Sequence, residues 1–218
     1  MTAISHLLGK VHQGDCLEFM RQLPDKCVDL VLTDPPYGIS ADKGSIGYGH
    51  CDSKKYTDNW DDKTPDKTIF EEILRISKIA IIFGGNFFTD KLPVNAFWIV
   101  WDKTGGIQFD NPFSDCELAW TNINRKSVKK YVVIQQGFIA QEKERFHPTQ
   151  KPVILFKNII RDFLQDGVVF DPYIGSGTCG IAAESLGRKW FGCEISPEYC
   201  KISEKRIEAE RAQLKLFT

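Results

Sequence analysis

Apolar and polar positions along the 218-residue chain fall into two alternating kinds of segment. Short apolar runs that stop at turn residues lie near 9–13, 28–33, 79–84, 96–101, 116–121, 130–134, 167–171 and 190–194 and predict strands. Between them, apolar residues at three- and four-residue spacing predict helices near 15–22, 66–78, 86–91, 152–165, 178–187 and 197–213. Ser196-Pro197 supplies a cap and a first-turn proline for the last of these. Strand and helix in alternation predict an α/β fold, a mostly parallel twisted sheet with helices on both faces.

Two of the predicted strands end in chemistry. The run Val28-Asp29-Leu30-Val31-Leu32 leads into Thr33-Asp34-Pro35-Pro36-Tyr37-Gly38. Proline fixes φ, lacks an N–H and keeps the residue before it extended, so the oxygens of Asp34 and Pro35 are free to accept hydrogen bonds. A carboxylate, a backbone carbonyl and the ring of Tyr37 suit a planar aromatic amine, which donates to the first two and stacks on the third. The second run, Val168-Val169-Phe170, leads into Asp171-Pro172-Tyr173-Ile174-Gly175-Ser176-Gly177-Thr178. Glycines before a helix that starts at Thr178 make a loop that a ligand can approach closely, facing the helix's free N–H groups. Gly180 completes a literal G-x-G-x-x-G, and Glu194 ends the next strand where it can bind ribose hydroxyls. These two features fit a dinucleotide or any other adenosine-type cofactor. A nicotinamide-dependent oxidoreductase has no evident use for Asp34 to Tyr37, whereas methyl transfer to a base amine does.

The chain resembles the S-adenosylmethionine-dependent DNA amino-methyltransferases, the N6-adenine/N4-cytosine family. Asp34-Pro35-Pro36-Tyr37 precedes the glycine-rich loop as in one group of these enzymes. Gly14-Asp15-Cys16, Trp101-Asp102-Lys103 and His147-Pro148-Thr149-Gln150-Lys151-Pro152 match further blocks in the same order. The resemblance implies a Rossmann-like methyltransferase fold and a catalytic tetrad of Asp34, Pro35, Pro36 and Tyr37. It also implies a cofactor site over Asp171, Tyr173, Gly175, Ser176, Gly177 and Thr178. Glu194 would take the ribose, Asp15 and Cys16 the adenine side, and His147, Thr149, Gln150 and Lys151 the methionine end, with Asp34 between cofactor and base. Lys151 is expected to meet the methionine carboxylate, and Thr149 or Gln150 to cap the helix opened by Pro152. Asp at the head of the tetrad resembles the adenine enzymes more than the cytosine-N4 ones. The implied reaction is methylation of adenine N6 in a flipped-out base, giving S-adenosylhomocysteine and requiring no metal. Transfer to cytosine N4, a silent cofactor- or DNA-binding module and a nicotinamide-dependent oxidoreductase are the alternatives.

Composition fits one catalytic domain over 1–218, with 42% of residues apolar and no internal repeat. The absence of a leader-like start and of a long apolar run predicts a cytoplasmic protein. The resemblance implies a protein of restriction–modification type, bacterial or encoded by a virus of bacteria. The seven cysteines show no C-x-x-C pair, which suits reduced thiols, and His50-Cys51 reads as loop. A net charge of −1 is not that of a globally basic phosphate binder. Charge is instead concentrated: nine basic residues against Glu142 and Glu144 lie between Thr121 and Arg161. Arg125, Lys126, Lys129 and Lys130 are therefore the candidate contacts to double-stranded DNA, in a small recognition region at 121–147. The polar stretch 39–65 reads as a long loop beside the tetrad that could carry base contacts through Lys54, Lys55, Tyr56 or Trp60. Gln213-Leu214-Lys215-Leu216-Phe217 resembles the peptide by which bacterial replication proteins grip the sliding clamp; it fits equally the end of an amphipathic helix packing on its own core or on a homodimer mate.

Overall fold

The computed structural model describes residues 4–39, 61–107, 114–135 and 150–215. His50, Cys51, Lys54, Lys55, Tyr56, Trp60, His147, Thr149, Leu216 and Phe217 lie outside the described residues. The eight expected strands are present: β1 (Val11–Gln13), β2 (Val28–Thr33), β3 (Ser77–Phe83), β4 (Trp98–Asp102), β5 (Cys116–Thr121), β6 (Val128–Val132), β7 (Val168–Asp171) and β8 (Lys189–Glu194). Helices α1 (Cys16–Arg21), α2 (Lys67–Ile76), α3 (Val153–Phe163), α4 (Thr178–Ser185) and α5 (Pro197–Lys215) connect them. Ser196 caps α5 as its sequence predicts, its carbonyl accepting from Cys200 and its hydroxyl lying 3.5 Å from the Tyr199 nitrogen.

One expected helix is not formed. Residues 86–91 give only a 3-10 turn, Gly85–Phe87, because Gly84 enters it at φ +69° and Gly85 sits against Trp120, geometry that a regular helix would disrupt. A further 3-10 turn, Ser5–Leu7, precedes β1.

The strands form one sheet in the order β1-β8-β7-β2-β3-β5-β4-β6. Five of the pairings are parallel; β5 alone runs against its neighbours β3 and β4. Alternate side chains feed two cores. Leu30, Leu32, Ile81, Phe83 and Val169 pack with Leu155, Phe156 and Ile159 of α3. Val31, Ala80, Ile82 and Phe170 pack with Met20 of α1 and Phe70 and Ile73 of α2 on the other face. No helix among the described residues is long and apolar enough to cross a membrane.

The chain leaves β7 toward β8 on one side and leaves β2 toward β3 on the other, so the switch point of the sheet lies between β7 and β2. Asp171 ends β7, Glu194 ends β8, Asp34 follows β2 and Asp15 lies two residues beyond β1. All four strands are parallel, so these acids share one rim. The antiparallel β5 brings its first residues, including Glu117, to that same rim.

Above the switch point, the loop after β7 rests on β8. Ile174 N–H donates to the Cys193 carbonyl at 3.0 Å, and its side chain covers Gly192. A Cβ at Gly192 would lie 2.4 Å from Ile174 Cδ1 and 2.8 Å from its Cβ. Gly192→Ala is expected to lower the unfolding free energy by about 1–3 kcal/mol through overpacking, measured by denaturant titration.

Candidate active site at the strand rim

The extended Asp34-Pro35-Pro36 segment carries Tyr37 back over the end of β3. Its ring stacks on Phe87 at 4.9 Å and 17°. The other constraint is Gly84, where a Cβ would come within 2.1 Å of the Tyr37 ring, so only glycine lets the ring sit there. The buried carboxylate of Asp61, 1% exposed, accepts the backbone N–H of Tyr37 at 2.7 Å and of Gly38 at 2.9 Å.

Both Asp34 oxygens have donors. The Tyr37 hydroxyl donates to Oδ1 at 2.6 Å, and the Lys151 ammonium lies 2.6 Å from Oδ2. Lys151 is only 4% exposed and is also 3.1 Å from Glu117 Oε2. Lys103 holds Glu117 Oε1 at 3.1 Å. Burial pushes the Asp34 carboxyl above its usual range despite Lys151 beside it. Burial would lower the Lys151 ammonium, but the Asp34 and Glu117 carboxylates more than offset this and raise it. Glu117 shows the opposite balance: burial raises it, and Lys151 with Lys103 brings it below the ordinary value. Tyr37 is pushed well up by burial and by the carboxylates near it, so its hydroxyl stays protonated as a donor.

Thr33 connects this cluster to the glycine loop, its hydroxyl donating to Asp171 Oδ1 at 2.7 Å. The same oxygen accepts Tyr173 N–H at 3.0 Å. Glu194 accepts Gly175 N–H at Oε2 and Ser196 N–H at Oε1, at 3.0 and 2.8 Å. Asp15 caps α1 by accepting Glu18 N–H at 2.9 Å. Its neighbour Gly14 donates to the Glu194 carbonyl, which brings the ends of β1 and β8 together. Above Gly14 and Gly175 there is room: a Cβ at the first would meet nothing within 4 Å, and at the second only the Tyr173 carbonyl at 3.8 Å. An open glycine floor bordered by carboxylates that retain unused lone pairs is the acceptor set that an adenosine's hydroxyls and amine require. Cys16 is buried and bonded to Tyr173, and burial pushes its thiol up to about 11, so it packs rather than attacks. The six described cysteines are free thiols. Among the described residues no cluster of His, Cys, Asp or Glu is arranged to hold a metal ion.

Three sequence expectations are changed by this geometry. Lys151 was expected at a cofactor carboxylate, but its ammonium is taken up by Asp34 and Glu117 of the chain itself. Gln150 does not cap α3, whose N-cap is Pro152 without a side-chain bond; its Oε1 instead accepts from the Ser176 hydroxyl at 3.3 Å. Arg125 and Lys126 precede β6, and β6 is parallel to β4, so they lie at the edge of the sheet opposite to Asp34. Lys129 pairs with Asp162, while Lys130 reaches Asp102 at the rim.

Glu117 and Asp61 were not singled out from the sequence, and Lys103 entered only as part of the block Trp101-Asp102-Lys103. Glu117 had a usable signal, since the opening residue of an antiparallel strand falls at the same rim as the closing residues of parallel ones. Asp61 had none, lying in a polar stretch where any carboxylate reads as solvated.

Burial, with Asp34 and Glu194 adding to it, pushes the Asp171 carboxyl up to about 7. An unfolded aspartate titrates near 4, so the folded state binds the extra proton and the wild type loses stability as pH rises from about 4 to about 7. Asp171→Asn keeps an acceptor for Thr33 and Tyr173 and removes the titration. Its melting temperature relative to wild type should therefore climb through that window and level off above it, measured by thermal unfolding at a series of pH values.

A family model described as DNA methylase, of the N6/N4 methyltransferase type, matches residues 93–205. Type II methyltransferase M.HinfI of Haemophilus influenzae is 27% identical over 250 residues, covering 94% of this chain and 69% of that protein. Type II methyltransferase M2.DpnII of Streptococcus pneumoniae is 26% identical, covering 90% and 88%. Among solved structures, the M1.HpyAVI–SAM complex superposes with a TM-score of 0.59 at 20% identity, covering 91% of this chain and 98% of that one. The cytosine-N4-specific PvuII DNA methyltransferase superposes at 0.60 and 20% identity, covering 89% and 84%. These likenesses establish the Rossmann-like methyltransferase fold and leave no place for the nicotinamide reading of the glycine loop. Since the family model spans more than half of it, the chain belongs to the N6/N4 DNA methylases, the amino-methyltransferases of DNA that use S-adenosylmethionine.

Proposed function

We propose that the chain methylates the N6 amine of adenine in duplex DNA, taking the target base out of the stack and onto the strand rim. The observation that carries this reading is the half-buried Asp34 acceptor joined through Thr33 to the floor of the glycine loop. When bound, S-adenosylmethionine supplies an electrophilic sulfonium methyl and leaves as S-adenosylhomocysteine. Asp171, Tyr173, Gly175, Ser176, Gly177 and Thr178 would underlie it, with Glu194 at the ribose, Asp15 and Cys16 at the adenine side and Gln150 beside Ser176 at the methionine end. His147 and Thr149 belong to the same reading.

An aromatic amine is a poor nucleophile because its lone pair is delocalised into the ring. Donation of its hydrogens to the Asp34 carboxylate and the Pro35 carbonyl favours a pyramidal nitrogen and localises that pair. Burial raises the proton affinity of Asp34, which suits it to receive the proton that the methylated nitrogen sheds. Tyr37, backed by Phe87, offers a two-ring wall for the base, and such stacking is worth about 1–3 kcal/mol. Holding the amine in a near-attack position supplies much of the acceleration.

Asp at the head of the tetrad favours adenine. Cytosine N4 is the second reading, supported by the fold shared with the cytosine-specific PvuII enzyme. For the duplex, Lys130 on the rim side is a better-placed phosphate contact than Arg125 or Lys126. A single catalytic domain over 1–218, a homodimer, a clamp contact that begins at Gln213 near the end of α5, and a cytoplasmic setting complete the proposal.

Labelled methyl from S-adenosylmethionine, offered with unmethylated duplex DNA and followed by nucleoside digestion, tests it. Label is expected on N6-methyladenine, reduced at least about 100-fold by Asp34→Ala because the amine loses its positioning. Label on cytosine would overturn the base, and no label on any duplex would overturn the reaction.

A further inference from the structure

We propose that Glu117 is a positioning residue that gives the Lys151 ammonium a second seat, freeing Asp34 to accept the amine of the target base. The inference rests on the methyltransferase reading of this site. In the structure Asp34 is already satisfied by the chain, by Tyr37 at Oδ1 and by Lys151 at Oδ2. An incoming amine must displace one of them. Tyr37 is fixed, with its ring stacked on Phe87 and one side of it against the backbone of Gly84, and its N–H held by Asp61. Lys151 is the donor that can move, because its ammonium rides on a flexible four-carbon stem.

Leaving Asp34 would strand a buried cation unless a partner waited for it. Glu117 Oε2 waits 3.1 Å away, a short shift from a full charge-assisted bond. Lys103 holds the other Glu117 oxygen and so keeps Oε2 directed at Lys151. Two carboxylates and two ammoniums balance before and after the shift, so the cation moves without leaving a net charge in the cluster. The rings of Tyr37 and Phe83 lie 5.4 and 5.6 Å from the ammonium and favour a cation between the two seats. Without Glu117, Lys151 would have one carboxylate only and would compete with the amine for it.

The charged groups facing Asp34 are Lys151 ahead of α3, Glu117 on β5 with Lys103 behind it, and Asp171 on β7, with the Tyr37 hydroxyl from its own loop. They give the test opposite signs. Methyl transfer requires ionised Asp34, so its acid limb follows that carboxyl. Glu117→Gln removes a negative neighbour and should move the limb about one pH unit lower while raising the KM for DNA at least about tenfold. Lys151→Met removes a positive neighbour and should move the limb about as far to higher pH. Glu117→Asp keeps the charge and should leave the limb at the wild-type position. The Asp34 carboxyl, followed by carbon-13 NMR in protein without substrate, should titrate in the same order, which needs no turnover. Limbs, titrations and KM of Glu117→Gln superimposable on wild type, while wild type methylates DNA, would overturn the role of Glu117. No methylation by wild type would instead overturn the parent reading. Should Glu117→Gln fail to fold, as judged by melting and S-adenosylhomocysteine binding, the wild-type position of the Glu117→Asp limb and the upward shift of Lys151→Met decide the matter.

Discussion

Lys151 places an ammonium where water scarcely reaches, and the groups required to keep it charged set the arrangement of the rim. Desolvating a cation costs several kcal/mol unless carboxylates meet it at short range. Here they come from different elements: Asp34 from the loop after β2 and Glu117 from the start of β5. Those elements must end at the same height, which the sheet achieves by running β5 against its neighbours. Removing one member of such a set commonly costs more than the pair itself contributes, because the remaining charge is left buried and unpaired. The cluster therefore ties the loop after β2, the antiparallel strand and the segment before α3 into one unit.

The two halves of the site communicate through few atoms. Thr33 is the last residue of β2 and donates to the last residue of β7, so Asp34 and the glycine loop are anchored at the strands that flank the switch point. An acidic rim has an electrostatic consequence. Asp15, Asp34, Asp171 and Glu194 repel phosphate and attract a sulfonium cation and neutral amine donors; on the proposed reading, a duplex is held from the side of the rim while only the flipped base enters. A net charge of −1 with basic residues gathered in one stretch is compatible with that division.

Much of this was legible in the sequence. The apolar run into Asp34 and the run into Asp171 each placed a strand and its terminal acid, because strand ends are fixed by local chemistry: prolines in one case, proline and glycines in the other. The strand–helix alternation placed all eight strands. What escaped were relations between distant elements. The stretch at 86–91 carries helical spacing, yet its shape is dictated by Tyr37 and Trp120 pressing on Gly84 and Gly85. The charge concentration after Thr121 was real, but the direction of β6, which puts Arg125 and Lys126 at the edge opposite to Asp34, was not legible. Lys151 was recognised as important, but its contacts with Asp34 and Glu117 were not foreseen, since nothing within its own segment shows that they lie beside it.

The most direct test of this account is the structure of the chain with S-adenosylhomocysteine and a duplex that it methylates. The account predicts a flipped adenine against Tyr37 with its amine on Asp34 and the Pro35 carbonyl, and the Lys151 ammonium transferred to Glu117. A flipped base whose amine is held elsewhere, with Lys151 still on Asp34, would contradict it.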